Sequence, residues 1–130
     1  MCLFHDVEES RAGDQNRVHK RYVKVDHEEI MHDQLDGLFQ DNEILDIMKE
    51  YEARESFESK LAKDADRLDQ FLLLKEHAQN GNKEALRRFG SNHNGKRERL
   101  LTEQGKQFFD TILETEPNEW RENIWTETRK

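Results

Sequence analysis

The chain has 130 residues, 38% of them charged and 33% hydrophobic, with a formal net charge of −8. That acidic balance excludes a general nucleic-acid binder, which needs a basic face to release counterions. The single cysteine, Cys2, allows no internal disulfide, no apolar run approaches the roughly 20 residues that cross a membrane, and no basic leader precedes Met1–Phe4, so the chain is expected in the cytoplasm without a membrane partner.

The apolar residues are clustered, and strong helix formers dominate. One proline, six glycines and no hairpin dipeptide between alternating apolar runs leave an all-α fold, a compact array of about six helices. The first helix is expected over Met1–Ala12, with Gly13 as its stop. DQNRVHKRYVKV, from Asp14 to Val25, has no clear period and reads as a loop with a short helical turn. A second helix covers about His27–Phe39, capped by Asp26, with Ile30, Met31, Leu35 and Leu38 on one side. A third follows Asp41-Asn42 and carries Ile44, Leu45, Ile47, Met48 and Tyr51.

Ser56 caps the longest helix, which ends at Asn80-Gly81. Its apolar stripe is expected at Phe57, Leu61, Ala65, Leu68 and Leu72, with Asp64 close to the stripe and Asp66 pointing roughly away. NKEALRRF forms a short helix that stops at Gly90, and SNHNGK is an exposed loop. Arg97–Leu113 is helical, with Leu100, Leu101, Phe108, Phe109, Ile112 and Leu113 apolar. Pro117 opens a last helix bearing Trp120, Ile124 and Trp125.

Two clusters bear chemistry. In an α-helix His5 and Glu9 share a face, with Asp6 to the side and Leu3, Phe4 and Val7 around them. Imidazole nitrogen and carboxylate oxygen suit a divalent transition metal. The plainer alternative is a helix whose polar face begins at His5. KDADRLD, from Lys63 to Asp69, is the second acidic cluster. Its plainer reading is a solvated face of (i, i+4) pairs.

Taken together, HDVEESRAGD and AKDADRLD resemble the HD-domain superfamily of metal-dependent phosphohydrolases, and most closely its 5′-deoxynucleotidase-like branch. In that pattern His-Asp is followed by x-x-Glu and then Gly-Asp. A later helix supplies the last metal ligand from Ala-Asp-x-Leu. The resemblance covers roughly residues 1–90, a partial HD-type domain, and leaves 91–130 as a helical extension packing on it. It implies that His5, Asp6 and Asp66 hold one divalent ion (Mn, Co, Fe, Ni, Zn or Mg). Glu9 would orient or deprotonate a water, and Asp14 would protonate the leaving oxygen or bind the sugar. Periodicity alone selects Asp64 as the inward acid; the pattern selects Asp66.

The pattern also contains an earlier His on an upstream helix. With the His-Asp pair at positions 5 and 6, no residue here fills that place, and His19, His27, His32, His77 and His93 lie in no matching segment. The chain is therefore expected to be an N-terminally truncated or degenerate member with an impaired site. Arg17, Lys20 and Arg21 form the basic stretch nearest the motif and are candidates to attract an anionic phosphate ester; a solvated loop is the alternative. A non-catalytic helical interaction module, self-associating through exposed apolar faces, is the rival function.

Overall fold

A computed structural model describes residues 1–116 together with Glu119 and Ile124. Pro117, Trp120 and Trp125 lie outside the described residues; Ile124 is exposed. The described residues are all-α, with no strand and with eight helices rather than about six. These are α1 (Glu9–Ala12), α2 (His19–Tyr22), α3 (His27–Leu35), α4 (Asp41–Ala53), α5 (Phe57–Gln79), α6 (Lys83–Phe89), α7 (His93–Glu98) and α8 (Glu103–Glu114). The chain divides into two compact units, Met1–Ala62 and Lys63–Lys130, and α5 runs through the boundary.

In the first unit the expected helix over Met1–Ala12 is shortened to α1. Residues 2–8 form turns with three-residue closures, Phe4 N–H to Met1 O at 3.0 Å and Val7 N–H to Phe4 O at 3.0 Å. The His5 ring turns back onto the Cys2 carbonyl, occupying an acceptor that a regular helix would use. Gly13, at φ 72°, ends α1 as expected. Asp26 caps α3 by accepting from the Glu29 N–H at 3.0 Å. That helix stops at Leu35, short of Phe39, because the chain turns at Gly37 with φ 76° and leaves Leu38 and Phe39 exposed. Met31 and Leu35 of α3 pack with Leu45, Met48 and Tyr51 of α4 and with Ala62, and Met1, Phe4 and Ile44 lean on this core.

The second unit is organised by α5. Its buried positions here are Asp64, Leu68, Phe71, Lys75 and Ala78, spaced by four, three, four and three residues on one helical face. The expected stripe is wrong at most of its positions. Phe57, Ala65, Leu61 and Leu72 are exposed, and only Leu68 is buried. Leu68 and Phe71 pack with Leu100, Phe109 and Ile112. Phe71 stacks on Phe109, ring centroids 4.3 Å apart, and on Phe89 at 5.1 Å.

The two charged members of that face hold α8 at both ends. The Asp64 carboxylate accepts from the backbone N–H groups of Leu101 and Thr102, both at 2.8 Å, and from the Thr102 hydroxyl at 2.7 Å. Thr102 in turn caps α8 by accepting from the Gly105 N–H at 2.9 Å. Lys75 donates to the carbonyls of Ile112 (2.6 Å), Leu113 (3.3 Å) and Thr115. Asp64 and Lys75 are eleven residues apart, about 16 Å along α5, and Thr102 to Ile112 is about 15 Å along α8. The helices therefore run parallel, with an anion at the N-terminus of α8 and a cation at its C-terminus, each opposite in sign to the helix dipole it faces. This grip also splits the expected helix over Arg97–Leu113. The backbone leaves helical form between α7 and α8 to present Leu101 and Thr102 to Asp64. SNHNGK, expected as a loop, contributes the first turn of α7, capped by Asn92.

Candidate functional site

The first unit brings part of the expected site together. His5 Nδ1 lies 2.8 Å from the Cys2 carbonyl, and Nε2 lies 2.8 Å from Asp6 Oδ2. The ring is half-buried, edge-on to the buried Tyr51 at 5.6 Å, and Arg54 covers the Tyr51 ring at 3.6 Å. Both ring nitrogens face acceptors, the Cys2 carbonyl and the Asp6 carboxylate. Nε2 faces the Asp6 carboxylate oxygen at ion-pair distance. Imidazole nitrogen and carboxylate oxygen are donor types that suit a divalent cation, and at 2.8 Å the two atoms lie within hydrogen-bond distance of each other.

The segment is tied down by its neighbours. Gln34 donates to the Val7 carbonyl at 3.2 Å and to the Ser10 hydroxyl at 2.5 Å, and His27 pairs with Glu8 at 3.4 Å. Glu9 is half-buried beside Asp6 and Asp14. Burial first, and then the Asp6, Asp14 and Glu8 carboxylates, push its carboxyl above the usual glutamate range, while Lys20 pulls the other way. A carboxyl shifted upward holds its proton closer to neutral pH, as a proton-transfer group requires. Asp14 is exposed just after Gly13, and Arg17, Lys20 and Arg21 are exposed around α2. Asn16 holds that turn by accepting from the N–H groups of Val18 and His19.

Asp66 belongs to the second unit. Its side chain is only 16% exposed, pairs with Lys63 at 2.6 Å, and accepts from Gln70 at 3.2 Å. Asp64, the acid favoured by periodicity, faces inward as that argument says, but its oxygens are spent on the end of α8. Among the described residues no group of three or more His, Cys, Asp or Glu is placed to hold a metal ion.

Sequence reasoning missed a cavity of about 650 Å³ in the second unit. Asp66 lines it with Lys63, Arg67, Arg88, Lys96 and Arg99, over a floor that includes Phe71 and Phe109. The signal was present as RRF and KRER, two basic clusters outside the recognised motif.

The described residues are all-helical, with an imidazole–carboxylate pair in the first unit and a mostly covered aspartate on α5 in the second. The family model for the HD domain matches residues 1–108, and the chain belongs to the HD-domain family. Neither a curated protein nor a solved structure matches it.

Proposed function

We propose that the chain is an HD-type phosphohydrolase of the 5′-deoxynucleotidase-like branch, acting on nucleotides or similar phosphomonoesters. The observation that carries this reading is the convergence of His5 Nε2 and Asp6 Oδ2 at 2.8 Å inside the span matched by the family model. His5, Asp6 and Asp66 are the metal ligands in this reading. A divalent ion held by these residues would supply Lewis acidity toward water and a phosphoryl oxygen. Glu9, with its raised carboxyl, orients or deprotonates the water. Asp14 serves the leaving sugar oxygen, and Arg17, Lys20 and Arg21 draw in the anionic substrate.

The test is hydrolysis of a panel of deoxynucleoside monophosphates by the 130-residue chain with Mn or Co, beside Asp6→Ala. Metal-dependent phosphate release that Asp6→Ala lacks supports the reading; equal rates in both proteins overturn it.

A second reading, a non-catalytic helical interaction module, draws on the exposure of Leu3 (85%), Tyr22 (77%) and Phe39 (88%) in the first unit. Exposed apolar side chains of this size favour association. Light scattering separates the two readings: a metal-free oligomer supports the module, and a monomer that takes up metal supports the enzyme.

A further inference from the structure

The cavity of the second unit has a charge opposite to that of the chain. Five cationic side chains line it against one carboxylate, Asp66, although the whole chain carries −8. Lys63 is matched by Asp66. Arg67 donates to the Arg99 carbonyl, and Lys96 donates to the carbonyls of Arg88, Phe89 and Ser91. Arg67 is also paired with the buried Asp64 at 3.8 Å, whereas the carbonyls around Lys96 satisfy its donors without cancelling its charge. Among the described residues, the guanidinium groups of Arg88 and Arg99 have no hydrogen bond or ion pair, and both residues are exposed at the cavity. The floor is apolar and partly aromatic, with Phe71 and Phe109 buried in it. Its volume is that of a small-molecule site.

We propose that this cavity binds a phosphate-bearing small molecule, with Arg88, Arg99 and Lys96 meeting the anion and the apolar floor meeting the rest of the ligand. Guanidinium groups pair with phosphate oxygens two at a time, and an apolar floor beneath them favours a ligand with a hydrophobic or planar body over a bare anion. Burial, and secondarily the charge of Arg88, already push the Lys96 ammonium below the usual lysine range. An anion between the two cations relieves that repulsion. The inference deepens the phosphohydrolase reading by placing the anion in a cavity that Asp66 lines, and Asp66 is the only residue the two share.

The experiment is calorimetric titration of the full chain in a metal chelator, so that binding is read without turnover. The probes are inorganic phosphate, a deoxynucleoside monophosphate and the matching deoxynucleoside. The monophosphate is expected to bind most tightly and the deoxynucleoside at least about tenfold more weakly, given the strength of charge-assisted bonds. Arg88→Ala and Arg99→Ala are each expected to weaken the monophosphate about fivefold to tenfold. Arg87→Ala is the control, because Arg87 is held by Glu84 at 2.6 Å, and it should bind as the parent does. Asp6→Ala should also leave this binding unchanged. The proposal is overturned if neither phosphate probe binds, if the deoxynucleoside binds as tightly as its monophosphate, or if Arg88→Ala and Arg99→Ala bind like Arg87→Ala. Absence of metal-dependent hydrolysis with binding intact would overturn the proposed function and leave this inference standing.

Discussion

Replacing Asp64 by alanine tests whether this carboxylate is structural. It is fully buried and takes two backbone N–H groups and one hydroxyl at 2.7–2.8 Å. A hydrogen bond to a charged group is worth about 1.5–3 kcal/mol, and a buried donor left without a partner costs about 1–3 kcal/mol. Leu101 is exposed, so its N–H can turn to water; Thr102 is buried, so its N–H and hydroxyl cannot. The expected loss for Asp64→Ala is therefore about 3–5 kcal/mol, or a fall of roughly 12–20 °C in midpoint at about 4 °C per kcal/mol. Asp64→Asn keeps the shape and one acceptor but loses the charge, and should fall between. Asp66→Ala removes a partly covered ion pair and should cost about 1 kcal/mol. Urea and thermal unfolding followed by helical circular dichroism measure all three. Under the proposed function, metal uptake ranks the alanine variants the other way, with Asp66→Ala the more damaging. An Asp64→Ala protein within about 0.5 kcal/mol of the parent, or less affected than Asp66→Ala, would refute the structural assignment.

Three further outcomes follow from the same unit. Lys75→Met keeps the apolar stem but leaves the carbonyls at the end of α8 without their ammonium, and should cost about 2–3 kcal/mol in urea unfolding; an unchanged midpoint would contradict it. Gly105→Ala should destabilise by about 1–3 kcal/mol despite alanine's better helix propensity, because the new Cβ would stand 2.5 Å from Asp64 Oδ2; a more stable variant would show that Asp64 can yield. Arg97 bonded to Asp110, Arg87 to Glu84 and Lys106 to Glu103 hold three carboxyls below their ordinary values of 3.8 and 4.5. The folded chain then binds these protons less readily than the unfolded one. Their stabilisation is present above the ordinary values and disappears as pH falls through the lowered ones. Glu84 and Glu103 are exposed and Asp110 is half-exposed, so the loss is shallow, and an Arg87→Met/Arg97→Met protein should lose less thermal midpoint between pH 5 and pH 3 than the parent; identical slopes would count against it.

The helix pattern and most caps were legible because they are local. Asp26 before α3 and Ser56 before α5, both expected as caps, each supply a side-chain oxygen to the N–H three residues on. The buried face of α5 was hidden for a different reason. A search for apolar periodicity passes over Asp64 and Lys75 and settles on Phe57, Leu61, Ala65 and Leu72, which are exposed. The inward positions hold charges because their partners are the ends of another helix, about 40 residues away in the chain, and such a partner leaves no mark in local sequence. The same long-range bond explains why Arg97–Leu113 reads as one helix and folds as two. It also bears on how the acids of KDADRLD divide their work. A helix turns by about 100° per residue, so Asp64 and Asp66 point about 160° apart. Asp64 is fully buried with its oxygens on the end of α8, while Asp66 lines the cavity, so two acids spaced by two residues meet different surroundings.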